Sequence, residues 1–210
     1  MVKSGLRVLL RRAVAFTAAA LLVVVAASVA YAKAPAGMEI PANVPKLQGP
    51  VAITTIGQAP GAMQISLLLK QLKVAAYVDN EENPLTADQL VGKGYKVLIL
   101  HMGTSLKGMG AAGVDLNGEI ARCNALVAEA HKQKMFIIGA QIEGMKRRTD
   151  DYDERSNKAV TAVSDLLLIR AEIDHDKYFT NVAKDKKIPL IRTKEALDFR
   201  YALGVLFGVN

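Results

Sequence analysis

Lys96-Val97-Leu98-Ile99-Leu100-His101 is a run of consecutive large apolar or β-favouring residues, bounded by Gly92 and Gly94 on one side and Gly103 on the other. Side chains alternate across a strand, so a run that is apolar at every position needs cover on both faces. That is the condition of a central strand in a parallel sheet flanked by helices. The flanking sequence repeats the pattern. Upstream, Val51-Ala52-Ile53-Thr54-Thr55-Ile56 reads as a first strand, and Gly57-Gln58-Ala59-Pro60 as the turn into a helix reaching about Lys73. Residues 74–78 make a second strand, and one or two helical turns are expected over 86–90, after Asn83-Pro84.

Downstream, Leu116, Ile120, Cys123, Val127 and Ala130 recur at helical spacing behind a cap at Asp115 or Asn117, which makes Cys123 a small core residue. Residues 135–140 and 165–170 are the fourth and fifth strands. Ile188-Pro189-Leu190-Ile191 is a short sixth, placed at an edge because proline cannot donate to a ladder. A last helix carries Leu197, Tyr201 and Val205. Strands alternating with helices through right-handed crossovers predict an α/β fold: a three-layer, doubly wound, mostly parallel sheet of five to six strands, flavodoxin-like or Rossmann-like.

The chain ahead of this alternation reads differently. In residues 1–32, Lys3, Arg7, Arg11 and Arg12 precede an acid-free apolar stretch that ends in Ala30-Tyr31-Ala32, the pattern of an export signal cleaved after Ala32. An uncleaved N-terminal anchor is the alternative. Residues 33–50 hold Pro35, Pro41 and Pro45 with no hydrophobic period and are expected to form an extended tether, leaving 51–210 as a single domain. The chain's net charge of +7 falls by the signal's four cations to +3, an ordinary surface that excludes any argument for nucleic acid as partner. The single cysteine rules out an intramolecular disulfide. The expected location is secreted or periplasmic, without membrane insertion after cleavage.

In open parallel sheets ligands bind outside the carboxyl ends of the strands. The segment His101-Met102-Gly103-Thr104-Ser105-Leu106-Lys107-Gly108-Met109-Gly110-Ala111-Ala112-Gly113 follows the central strand directly. As a loop it would present the N–H groups of Gly103, Gly108, Gly110 and Gly113, the hydroxyls of Thr104 and Ser105, and the charge of Lys107 to an anion. Gln58 faces it from the first turn. Arg147 and Arg148, after the fourth strand, are candidates to clamp a carboxylate or phosphate, and His101 and Glu143 are further candidates. Asp150, Asp151, Asp153 and Glu154 offer the competing reading of a self-neutralised, solvated face.

Three sharper motifs are incomplete. Gly108-Met109-Gly110-Ala111-Ala112-Gly113 fits G-x-G-x-x-G, but no acid follows about twenty residues later at a strand end. Gly103-Thr104-Ser105-Leu106-Lys107 resembles a nucleophile elbow with Lys107 where glycine belongs; Ser105, His175 and either Asp174 or Asp165 would have triad order. Glu172-Ile173-Asp174-His175-Asp176 has metal-capable side chains without zinc spacing, so no metal is assigned.

The segment 103–113, with Glu119 and Arg122 beyond it and Lys146-Arg147-Arg148 after the next strand, resembles an uncharacterised family of exported bacterial proteins, domain of unknown function family 6305. The likeness spans Val51 to about Leu206. In that family the basic pair is followed by glycine and a Ser-Asp element, where this chain has Thr149-Asp150. The resemblance implies export and the fold, and no reaction or cofactor. The function expected is an extracytoplasmic binding protein for a small anionic or polar metabolite, with a membrane transporter as candidate partner. The alternatives are an extracytoplasmic enzyme, either a hydrolase with Ser105 or a transferase with His101, and a flavin- or nucleotide-binding module of the flavodoxin type.

Overall fold

The computed structural model describes residues 33–79 and 84–209; the expected signal over 1–32, with its cleavage point, lies outside the described residues, as does Asn83 of the expected turn. The elements are β1 (Val51–Ile56), α1 (Gly61–Gln71), β2 (Ala76–Val78), β3 (Val97–Met102), α2 (Leu106–Ala112), α3 (Leu116–Lys132), β4 (Phe136–Gln141), α4 (Asp151–Val163), β5 (Leu166–Arg170), α5 (Tyr178–Lys186), β6 (Leu190–Thr193) and α6 (Asp198–Phe207). Short 3-10 turns occupy Asp88–Leu90, Gly144–Arg147 and Ala171–Asp174. The strands form one sheet in the order β2-β1-β3-β4-β5-β6, and every pair is parallel.

This is the three-layer α/β architecture the alternation predicts, with the strand order of the flavodoxin-like class extended by one strand. The two faces have separate cores. Val51, Ile53, Ile99 and Ile138 pack with Ile65 and Leu69 of α1 and Phe199 and Leu203 of α6. Ala52, Ile56, Leu98 and Leu100 pack on the other face with Cys123 and Leu126 of α3, Val160 of α4 and Phe179 of α5. Strand β3 is buried at all six positions because both layers cover it. Pro189 immediately precedes the edge strand β6, as its missing donor requires.

Two expectations need correction. Residues 33–50 are not a free tether: Glu39 pairs with Arg192 of β6 through two backbone hydrogen bonds of 2.8 and 3.0 Å. Glu39 also bonds the Arg192 guanidinium at 2.6 Å, and Met38, Ile40, Val44 and Leu47 pack against the α1/α6 core. Prolines without a period signalled an extended chain, but apolar side chains between them found an uncovered sheet edge to bury against. The second correction concerns 103–113. Leu106–Ala112 is a helix, capped at its start by the Ser105 hydroxyl accepting from Gly108 N at 3.1 Å and ended by Gly113 in the left-handed region at φ 66°. Glycine content argued for a loop; the cap at Ser105 and the left-handed stop at Gly113 supply the ends that a short helix needs.

Candidate functional site

Strands β1 and β3 diverge to α1 and α3 on opposite faces, which makes their carboxyl ends the switch point where a ligand crevice is expected. The chain itself fills that crevice. Gly103 N donates to Ser156 Oγ at 3.0 Å, Thr104 N and Oγ1 both donate to Asp153 Oδ1 at 2.8 Å, and Ser105 N donates to Gly57 O at 2.8 Å. Gln58 is buried, its side-chain amide donating to Glu119 Oε2 at 3.0 Å. The anion cradle expected from Gly103, Thr104, Ser105, Gly108 and Gln58 is therefore corrected: the N–H groups of Gly103, Thr104, Ser105 and Gly108, the Thr104 hydroxyl and the Gln58 amide already donate to partners in the protein.

The glycines serve packing instead. A Cβ on Gly108 would meet Gln58 O at 2.4 Å, and one on Gly103 would meet Arg147 Cβ at 2.6 Å. Around Gly110 and Gly113 the space is open, so neither approaches anything. Lys107 is exposed and has no partner among the described residues.

Beneath this plug lies a network that the sequence reading did not assign to the site. Arg122 holds Glu119 in a two-pronged contact of 2.9 and 2.8 Å and also donates to Thr54 Oγ1, Leu85 O and Thr55 O, so all its donors are engaged. Glu119 accepts in addition from Gly57 N at 2.8 Å. Asp79 is bonded by Thr54 Oγ1 and Leu85 N, and its burial raises the carboxyl above the ordinary range despite those bonds and Arg122. The three-residue spacing of Glu119 and Arg122 on a helix was the available signal for this pair.

The two arginines also turn inward. Arg148, with only 5% of its side chain exposed, pairs with Glu154 at 2.7 Å and Asp176 at 2.6 Å, donates to Ile173 O, and lies over the rings of Tyr178 and Phe179. Its hydrogen bond, above all, holds the Asp176 carboxyl down to about 2. Arg148 thus staples α4 to α5 and is withdrawn as a ligand clamp, because the following acids neutralise it. Arg147 bonds Glu143 Oε1 at 3.0 Å and Thr104 O at 2.6 Å, linking the loops after β3 and β4.

His101, Glu143 and Arg147 do come together. The His101 ring is wholly buried between Thr55 and Ala140 of the neighbouring strands, and its Nε2 lies 3.8 Å from Glu143 Oε2. Neither ring nitrogen has a hydrogen-bond partner among the described residues. Burial, reinforced by the Arg147 charge, lowers the imidazole to about 3, so it is neutral and its contact with Glu143 is no ion pair at ordinary pH. Glu143 Oε2 accepts from Gly61 N, the first residue of α1, at 3.2 Å. An internal carboxylate thereby occupies the helix N-terminus that would otherwise favour a ligand's phosphate.

The proposed triad is not assembled. The Ser105 hydroxyl caps α2, Asp174 is bonded by Thr180 and Arg192, and Asp165 accepts from Ile137 N at 2.9 Å. Among the described residues no three His, Cys, Asp or Glu side chains are grouped to hold a metal ion.

An open cleft of about 450 Å³ lies instead at the carboxyl ends of β4 and β5, on the α1 side. Met145 and Ala196 contribute exposed apolar surface, and Glu143, Lys146, Arg170 and Glu172 contribute charge. Lys146 stood in the basic run of the sequence; Glu172 and Arg170 lie more than twenty residues further on, and only the adjacency of β4 and β5 joins them to it.

A family model described as Domain of unknown function (DUF6305) matches residues 48–207. Comparison with curated proteins yields no match. Among solved structures, the crystal structure of a GDSL-like lipase from Bacteroides thetaiotaomicron VPI-5482 is similar at 10% identity with a TM-score of 0.34, over 68% of this chain and 66% of that one. The chain thus spans just under two thirds of the lipase's length.

Proposed function

This chain belongs to the DUF6305 family, a domain of unknown function, and from its own surface we propose that it is an extracytoplasmic binding protein for a small anionic or polar metabolite, serving as soluble partner of a membrane transporter. The observation that supports this reading is the cleft beyond β4 and β5, at the end of the sheet where α/β proteins hold ligands. Its volume of about 450 Å³ suits a metabolite rather than a polymer. Lys146 lines it as a cation with no acid partner among the described residues, which favours an anionic group on the ligand.

The proposed binding location differs from the one expected from the sequence, while the proposed kind of ligand is the same. In the glycine-rich segment the N–H groups of Gly103, Thr104 and Gly108 are engaged within the fold, and Lys107 is its one charged side chain. A hydrolase using Ser105 draws no support from a hydroxyl that caps a helix. Calorimetric titration of dicarboxylates, inorganic phosphate and amino acids into the protein tests the proposal. Binding by one class, weakened about tenfold or more by Lys146→Glu and unaffected by Lys107→Ala, is expected. Silence across the panel, or binding indifferent to Lys146→Glu, overturns it.

A further inference from the structure

The cleft beyond β4 and β5 carries four charged side chains, and they divide into committed and uncommitted groups. Glu143 is committed, one oxygen to Arg147 at 3.0 Å and the other to Gly61 N at 3.2 Å. Arg170 is committed as well: Nε donates to Lys194 O at 2.8 Å, and Nη2 lies 3.3 Å from Glu172 and 3.7 Å from Glu195. The other two are not. Lys146 Nζ has no partner among the described residues. Glu172 uses Oε1 for Met145 N at 3.2 Å and for Arg170, while Oε2 takes no hydrogen bond among the described residues and the side chain is about half exposed.

These two groups are held near each other by the backbone. Glu172 folds back against Gly144, where an added Cβ would stand 1.9 Å from its Oε1, and its bond to Met145 N fixes it beside the residue preceding Lys146. Among the described residues the cleft therefore offers one free cation and one free carboxylate oxygen on a common wall, with Met145 and Ala196 as exposed apolar surface.

We propose that the ligand of this cleft is a zwitterion, a free α-amino acid with an apolar side chain, whose carboxylate meets Lys146 and whose ammonium meets Glu172; this rests on the cleft being the binding site. A simple carboxylate satisfies Lys146 but brings like charge against Glu172. A simple amine reverses the mismatch, and phosphate, with more negative charge and no apolar part, fits worst. Only a molecule with both charged groups on one carbon pairs both side chains and leaves hydrocarbon for Met145 and Ala196. Peptides share the two charged ends but set them further apart.

Calorimetry with leucine, 4-methylpentanoate, 3-methylbutylamine and inorganic phosphate isolates each element, because the second lacks only the ammonium and the third only the carboxylate. Leucine is expected to bind at least about tenfold more tightly than the other three, as one charge-assisted hydrogen bond predicts. Glu172→Gln, which keeps an acceptor for Met145 N, is expected to bring leucine and 4-methylpentanoate to within about threefold of each other. Leucylglycine binding more weakly than leucine supports the free amino acid; tighter binding overturns that part and assigns the cleft to peptides. Equal binding of leucine and 4-methylpentanoate to the unaltered protein overturns the zwitterion while leaving a binding protein for anions. No binding of leucine, alongside binding of a dicarboxylate that Lys146→Glu abolishes, has the same meaning. Failure of every probe in both panels removes the binding reading itself.

Discussion

Gly61→Ala probes the contact between α1 and the buried His101. A Cβ at Gly61 would stand 2.0 Å from His101 Nε2, 2.3 Å from Cε1 and 2.5 Å from Cδ2. Ordinary van der Waals contact begins near 3.4 Å, so the ring would have to retreat by about 1.4 Å. It has nowhere to go, being fully buried between Thr55 and Ala140. Overpacking of this kind costs about 1–3 kcal/mol, and simultaneous contact with three ring atoms places Gly61→Ala at the upper end, about 3 kcal/mol. For a domain of this size that lowers Tm by roughly 6–12 °C. The same alanine in a His101→Ala background meets no ring, and better helix propensity makes it neutral or stabilising by up to about 1 kcal/mol. Urea unfolding of the four proteins, followed by far-ultraviolet circular dichroism, yields a coupling energy of about 3 kcal/mol between the two positions. A Gly61→Ala cost that is the same with and without the imidazole refutes the packing argument.

Three other outcomes follow from the same contacts. The His101 imidazole is protonated in the unfolded chain below about 6.5 and stays neutral in the fold down to about 3, so unfolding takes up a proton in that window; stability is fully present above pH 6.5 and declines as pH falls towards 3. Between pH 6.5 and 5 the wild type should lose up to about 1.4 kcal/mol per pH unit relative to His101→Leu; parallel profiles refute this. Arg148→Met should cost about 2 kcal/mol in urea unfolding, less than a fully buried pair because Glu154 and Asp176 reach water, and should leave ligand affinity unchanged. Weakened ligand binding would restore Arg148 as a clamp. Deleting residues 33–47 should destabilise the domain by about 3–4 kcal/mol, through loss of four partly buried apolar side chains and the Glu39–Arg192 pairing, whereas a mere tether could be removed without effect on the urea midpoint.

The candidate residues were legible to different degrees, for reasons specific to each. His101 could be located because a β-favouring run carries its own address: it is the last residue but one of the central strand β3, at the carboxyl edge of the sheet. That Glu143 and Arg147 would meet it was not legible, since their approach depends on β4 lying beside β3 and on Gly103 leaving room for Arg147. Arg148 illustrates the opposite case. Its acid neighbours in sequence offered neutralisation as one of two readings, and the choice fell that way because α5 brings Asp176 and two aromatic rings to the same guanidinium.

Taken alone, the order of residues determined the layers: runs such as 97–102 are apolar at every position, and only a sheet covered on both faces removes them from water. It also narrowed local ends, such as the cap of α3 to Asp115 or Asn117, of which the structure uses Asp115, because a cap depends on residues a few places apart. Which polar groups remain available to a ligand was decided only in three dimensions. Hydrogen bonds to partners distant in the chain engage Gly103 with Ser156, Thr104 with Asp153 and Gln58 with Glu119, while on the wall of the cleft beyond β4 and β5 Lys146 and one oxygen of Glu172 have no hydrogen-bond partner among the described residues.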